Sequence, residues 1–231
     1  MSRGNQEEPE TEGGARPPAV RNLIKAVIFD LDGTLADSAH IMHELYGSLF
    51  EEFGIPSPSE GEVMKVIAHG GRRIIHELLP EGRKNDLELK EKMGKRSAEI
   101  SRSLIRKIRP MEGAEELLAW LGKRGIRVVI ATNRGATTKE LLEFLGLSKY
   151  VEVSITSADV ENMKPHPEPL LKALAKLGLG PDEAVFVGDT DVDLKAGAAA
   201  GIKTLLLSKD KVGGQHIKSL HGLKVLLENG W

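Results

Sequence analysis

Two aspartates flank a single leucine in Phe29-Asp30-Leu31-Asp32-Gly33-Thr34, directly after the apolar run Ala26-Val27-Ile28-Phe29. Alternation along a strand sends Asp30 and Asp32 in the same direction. Gly33 permits a sharp turn, and Thr34 adds a hydroxyl beside the pair. Two such carboxylates can divide labour: one attacks or binds metal while the other moves protons. A second acidic group, Asp189, Asp191 and Asp193, follows the apolar run that ends at Val187-Gly188. Acids also favour helix N-termini, which accounts for Asp191 taken alone. Asp189 and Asp193 opposite another acidic pair call for more than capping. At about 4 Å and an effective dielectric near 20, each like-charge pair costs about 4 kcal/mol. A hard divalent cation removes that repulsion, and oxygen ligands with room for water suit Mg2+.

Lys164 is the candidate counter-charge, in Met163-Lys164-Pro165-His166-Pro167. The prolines stiffen that loop and keep Lys164 out of helical geometry, so an ammonium can be aimed at a fixed point. Thr132 and Asn133, after the run ending at Ala131, offer hydroxyl, amide and backbone donors for phosphate oxygens. A carboxylate nucleophile, a second acid, a cation, a lysine and neutral donors suit phosphoryl transfer. Its transition state needs an in-line nucleophile and positive charge spread around the phosphoryl oxygens. In that chemistry Asp30 forms an aspartyl phosphate. Asp32 protonates the leaving oxygen and later takes a proton from water.

The elements that must position these residues are short buried strands. Apolar, β-branched runs of this length read as parallel strands, here about Lys25 to Asp30, Arg127 to Ala131, Val151 to Thr156, Ala184 to Val187 and Lys203 to Leu207. Helical spacing lies between them, over Glu115–Lys123, Thr137–Leu145, Pro167–Leu177, Asp191–Ala200 and Leu220–Leu227. The alternation predicts an α/β fold, a doubly wound, mostly parallel sheet with helices on both faces. Sites in such sheets form beyond the carboxyl ends of the strands, where three of these runs end in polar residues. Residues 39–109 carry only helical patterns: Ile41, Leu45, Leu49 and Phe53; a segment capped by Ser59 with Glu62 three residues on and interrupted by Gly70-Gly71; a short run with Ile74, Ile75, Leu78 and Leu79 that ends at Pro80; and a long charged helix lined by Leu87, Leu89, Met93, Ile100, Leu104 and Ile108, with a break near Gly94. The expected organisation is a tail over 1–22, a core from 23–38 and 110–231, and a helical domain over 39–109. The tail is rich in Glu, Gly and Pro and reads as disordered.

With these residues in place the chain resembles the haloacid dehalogenase superfamily, in the branch that looks like phosphoglycolate phosphatase. The motifs are Asp30-Leu31-Asp32-Gly33-Thr34-Leu35, Thr132-Asn133, Lys164-Pro165 and Gly188-Asp189-Thr190 through Asp193. The resemblance runs from about Ala26 to Leu207, with 39–109 as the family's helical cap. It implies a phosphatase with Asp30 as nucleophile and Asp32 as acid and base. Mg2+ would be held by Asp30, Asp189 and the backbone carbonyl of Asp32, with Asp193 behind them. It also sets the turn His69-Gly70-Gly71-Arg72-Arg73 opposite the strand ends. There Arg72 or Arg73 would grip an anionic or hydroxyl-rich part of the substrate with a bidentate guanidinium.

Composition narrows the alternatives. The 231 residues carry a formal charge of −2, which gives no pull toward nucleic acid or anionic membrane, and no cysteine, which excludes disulfides and thiolate metal sites. No run approaches the roughly 20 apolar residues of a membrane span, and Met1 to Gln6 lacks a signal-peptide centre. The expectation is a cytoplasmic enzyme, monomer or homodimer, acting on a small phosphorylated metabolite. A phosphomutase of the same family is the competing enzyme; a regulatory protein on an inactive fold is the non-enzymatic alternative. His40 and His43 lack further ligands for zinc. The basic stretch Arg102, Arg106, Lys107 and Arg109 reads as a solvated helix face.

Overall fold

The computed structural model describes residues 24–208, 210 and 214–229, Arg72 by its backbone alone. The tail expected over 1–22 lies outside the described residues. Six strands form one parallel sheet. They are β1 (Ala26–Phe29), β4 (Arg127–Ala131), β5 (Val153–Ile155), β6 (Ala184–Gly188), β7 (Lys203–Leu207) and β8 (His216–Ile217), in the order β5-β4-β1-β6-β7-β8. β1 is central, and the chain winds from it first to β4 and later to β6. Its carboxyl end is therefore the switch point where such sheets leave a crevice.

The strand side chains alternate between two cores. Val27, Phe29, Val128, Ile130 and Val187 face α5 (Ala114–Lys123), α6 (Thr138–Phe144) and α9 (Leu220–Glu228). Ala26, Ile28, Val129 and Phe186 face α7 (Glu168–Leu177) and α8 (Asp191–Ala200). Phe29, Ile28 and Phe186 are wholly buried, each worth roughly 1.5–3 kcal/mol. The apolar runs that mark the strands thus also anchor their polar ends.

Between β2 (Ala36–Asp37) and β3 (Arg109–Pro110) the chain leaves the sheet as α1 (Ala39–Glu52), α2 (Glu60–Val66), a 3₁₀ turn (Ile67–His69), α3 (Gly71–Leu78) and α4 (Leu87–Leu104). The outgoing and returning strands pair antiparallel, so the insertion hangs from a two-stranded stem. Ser59 and Glu62 cap α2 reciprocally: Ser59 N–H donates to Glu62 Oε2 at 2.8 Å, and Glu62 N–H to Ser59 Oγ at 3.4 Å. The break expected at Gly94 does not occur. Leu89, Met93, Ile100 and Leu104 bury one face of α4 continuously through it. Leu87 is 75 % exposed rather than part of that lining, because it sits at the first position of the helix beside the Asp86 cap. Ile108 is buried but lies beyond the helix, in extended backbone after the 3₁₀ turn Ile105–Lys107. Among the described residues no helix is long and apolar enough to cross a membrane.

Candidate active site

Asp30 follows β1 directly; its N–H still pairs with Val187 O at 2.8 Å, so the sheet register fixes its Cα. The chain then turns sharply. Leu31 O accepts from Leu35 N–H at 2.9 Å and from Ala36 N–H at 2.8 Å. Gly33 takes φ +82°, and a Cβ there would stand 2.1 Å from Asp189 Oδ2. Glycine is required both by backbone conformation and by the approach of Asp189. Thr34, buried in the same turn, donates to Asp189 Oδ1 at 3.3 Å.

Lys164 brings the strand ends together. Its buried ammonium lies 2.7 Å from Asp30 Oδ1 and 2.6 Å from Asp193 Oδ1. The other Asp193 oxygen accepts from Thr190 Oγ1 at 2.6 Å and Thr190 N–H at 3.1 Å, across the first turn of α8. Asp191 is exposed in that turn. Burial raises the Asp30 carboxyl to about 7 despite Lys164, and burial with the charges of Asp30 and Asp193 raises Asp189 to about 8. Burial also acts on Asp193, but Lys164 and Thr190 outweigh it and hold its carboxyl below the usual range. Burial opposes the charge on Lys164, and the two aspartates overcome it and keep it protonated.

Asp30, Asp189 and Asp193 each offer a carboxylate oxygen within 4.8 Å of the others. This all-oxygen set, with two carboxyls unable to ionise freely at neutral pH, fits a hard divalent cation. The Asp32 carboxylate lies outside it, because Arg134 holds both its oxygens: Nη2 to Oδ1 at 2.7 Å and Nε to Oδ2 at 2.9 Å. Ser38 Oγ also donates to Oδ1 at 2.7 Å. Burial pushes the Asp32 carboxyl up, and the Arg134 charge and hydrogen bonds outweigh it, leaving Asp32 below the ordinary value.

Thr132 is buried, and its Oγ1 accepts from Arg134 N–H at 3.1 Å, leaving the hydroxyl hydrogen for another partner. The Asn133 side chain is committed to the protein, bonding the Lys164 backbone and donating to Ala68 O at 3.1 Å. Its amide positions Lys164 instead of standing ready for phosphate. The Ala68 contact also brings the insertion onto the strand ends. Gly70, at φ +84°, passes so close that a Cβ would be 3.1 Å from the Asn133 backbone oxygen. Next to this contact lies a pocket of about 540 Å³, lined on the insertion side by His69 and Arg73 and on the core side by Asn162 to Pro167 with Glu161. Glu77 takes His69 Nδ1 at 2.9 Å and Arg73 Nε at 2.8 Å. Arg72 is placed in α3 by its backbone alone. Sequence reasoning missed Arg134, Ser38 and Glu77. The first follows Thr132-Asn133 directly, the one local hint of its importance.

Comparison with known proteins gives the class. Residues 27–207 match the family model described as haloacid dehalogenase-like hydrolase. A phosphoglycolate phosphatase from Nitrosococcus oceani is 32% identical over 188 residues, covering 79% of this chain and 83% of that protein. An N-acetylmuramic acid 6-phosphate phosphatase from Pseudomonas aeruginosa is 31% identical over 191 residues, 80% and 81% of the two chains. The crystal structure of a subfamily IA hydrolase of the same superfamily from Geobacter sulfurreducens superposes with a TM-score of 0.68 at 30% identity, covering 89% of this chain and 97% of that one. The chain belongs to the haloacid dehalogenase-like hydrolase family. Within that family it is an enzyme, a phosphoric monoester hydrolase.

Proposed function

We propose that the chain is a magnesium-dependent phosphatase that cleaves a small phosphomonoester through an aspartyl phosphate on Asp30, with phosphoglycolate as the first substrate to test. The observation that carries this reading is the convergence of Lys164 on Asp30 and Asp193, beside Asp189, at the end of the central strand.

Asp30 attacks phosphorus, and the bond to the leaving oxygen breaks as the Asp30–phosphorus bond forms. Lys164 offsets negative charge spreading over the phosphoryl oxygens, and the Thr132 hydroxyl donates to one of them. Asp32, held ionised by Arg134, takes up the proton that a monoanionic ester brings and passes it to the departing alkoxide. It then takes one from the water that attacks the aspartyl phosphate, freeing Asp30 and inorganic phosphate. Asp30, Asp189 and the Asp32 carbonyl would hold Mg2+, with Asp193 behind them. When bound, the cation would supply positive charge beyond that of Lys164 and offset the repulsion among these carboxylates.

The insertion over 39–109 acts as a cap that covers the core of 23–38 and 110–231. Its Arg73, with Arg72 beside it in α3, faces the part of the substrate that is not transferred. An anionic or hydroxyl-rich remainder fits a pocket rimmed by Arg73, His69 and His166. The proposed setting is the cytoplasm, where small phosphorylated metabolites are held.

The test is a panel of phosphoglycolate, N-acetylmuramic acid 6-phosphate, β-glucose 1-phosphate and nucleotides with Mg2+ and phosphate detection. Release of phosphate from one small ester well above the others supports the reading. Conversion of glucose 1-phosphate to glucose 6-phosphate would favour a mutase, and inertness toward all of them a non-catalytic protein.

A further inference from the structure

Arg134 has no part in the chemistry above, yet it is among the most committed side chains of the site. It is 6 % exposed and ends a chain of contacts from the strand ends to the helical insertion. Nε and Nη2 form a fork on Asp32. Nη1 donates to Thr137 Oγ1 at 3.0 Å, at the start of α6, and to Ser101 Oγ at 3.2 Å, on α4 of the insertion. The backbone is equally fixed, its N–H donating to Thr132 Oγ1 and its carbonyl accepting from Ser157 N–H at 3.2 Å.

A carboxylate offers about four acceptor positions, two on each oxygen. On Asp32 Oδ1, Ser38 and Arg134 Nη2 take both. On Oδ2, Arg134 Nε takes one, which leaves one open. A planar guanidinium bound through two nitrogens also fixes the plane of its partner, which a lysine does not do. We propose that Arg134 is a positioning residue that fixes the Asp32 carboxylate with Oδ2 as the proton-carrying oxygen, and that its bond to Ser101 couples this placement to the seating of the helical insertion. The inference rests on the assignment of Asp32 as the proton carrier.

Leaving-group chemistry separates positioning from other roles. An alkoxide needs a proton as it departs, whereas p-nitrophenolate does not. kcat/KM also reports the step up to aspartyl phosphate formation and not its hydrolysis. The quantity to measure is the ratio of kcat/KM for phosphoglycolate to that for p-nitrophenyl phosphate, with saturating Mg2+. Asp32→Asn is the control and should collapse the ratio; no change there defeats the assignment of Asp32 itself. Arg134→Gln should lower the ratio by roughly tenfold to a hundredfold, mainly through kcat, as expected when a proton donor is misplaced by about 1 Å. Arg134→Lys keeps the charge without the fork and should behave like Arg134→Gln. Ser101→Ala, which removes one hydroxyl from α4, should lower the ratio by roughly two- to fivefold. If Asp32→Asn collapses the ratio while Arg134→Gln lowers both substrates equally, or only raises KM for phosphoglycolate, the inference is overturned. Full activity in Arg134→Lys overturns it as well, since charge alone would then suffice. If Arg134→Gln does not fold, Ser101→Ala decides alone, and an unchanged ratio there removes the coupling.

Discussion

Asn133 grips both backbone polar groups of Lys164: Lys164 N–H donates to Asn133 Oδ1 at 3.0 Å, and Asn133 Nδ2 donates to Lys164 O at 2.9 Å. The loop that carries the ammonium is thereby bolted to the end of β4, so the sheet sets where Lys164 Nζ lies relative to Asp30. Asn133→Ala leaves two buried backbone groups without partners. The expected cost is roughly 2–5 kcal/mol of stability and a loss of roughly tenfold or more in kcat. Chemical denaturation and steady-state kinetics on the folded fraction check this. Lower stability with unchanged kcat would show that Asn133 braces the loop without aiming the lysine.

Asp30→Asn removes the attacking carboxylate while preserving shape. Turnover is expected to fall by at least roughly a thousandfold, with no phosphoryl adduct detectable by rapid acid quench and mass spectrometry. Near-normal hydrolysis by a preparation shown to retain the amide would sink the nucleophile assignment.

The carboxyls of Asp30 and Asp189, raised to about 7 and about 8, make a prediction about metal and pH. A raised carboxyl means the folded state binds protons that the unfolded chain has already released. The metal-free protein should therefore lose stability from these groups as pH rises from about 4 through about 8. A bound cation reverses this by favouring the ionised forms, so Mg2+ should raise Tm more at pH 8 than at pH 6, and its affinity should weaken as pH falls. Thermal melts and calorimetric titrations at both pH values measure the effect. An equal Mg2+ stabilisation at the two values would contradict it.

Much of this site was legible because each key residue ends a buried parallel strand, and such strands are written as short apolar runs. Asp30, Thr132 and Asp189 follow β1, β4 and β6 directly, so local pattern and fold agree on their placement. Ser59 and Glu62 were legible for the same reason, since a capping box is confined to a few residues. Arg134 was not, because its partner Asp32 is 102 residues away and nothing in a polar turn announces which arginine will turn inward. The two-residue strands β2 and β3 are too short to carry a period, and only their pairing defines them. Leu87 shows the converse: the helical spacing reaches the first residue of α4, while burial begins only at Leu89.

Gly33→Ala tests the turn itself. At φ +82°, and with a Cβ position 2.1 Å from Asp189 Oδ2, an alanine must displace either the turn or the Asp189 carboxylate. Strain of this kind costs of order 1–3 kcal/mol. The Mg2+ concentration giving half-maximal activity should rise with it, because Asp189 belongs to the acidic group. A variant that is less stable but has an unchanged Mg2+ requirement would mean that the turn yields and Asp189 does not.

The last prediction concerns Arg73, half exposed at the pocket rim with its Nε held by Glu77. Glu77 takes His69 with its other oxygen, so one carboxylate orients both basic groups on this side of the pocket. If Arg73 binds the part of the substrate that is not transferred, Arg73→Ala should lower kcat/KM by roughly 1–3 kcal/mol for an ester with an anionic remainder, the usual worth of a hydrogen bond to a charged group. p-Nitrophenyl phosphate lacks that remainder and should be affected far less. Glu77→Gln keeps the shape but frees Arg73 and His69 from their shared charge, so it should shift the same preference by a smaller factor and leave p-nitrophenyl phosphate hydrolysis near its normal rate. Arg72→Ala, measured alongside, decides which of the two neighbouring arginines carries the effect. Equal losses on both substrates in Arg73→Ala, or none on either, would remove Arg73 from substrate selection and leave the Arg73–Glu77 pair as a brace along α3.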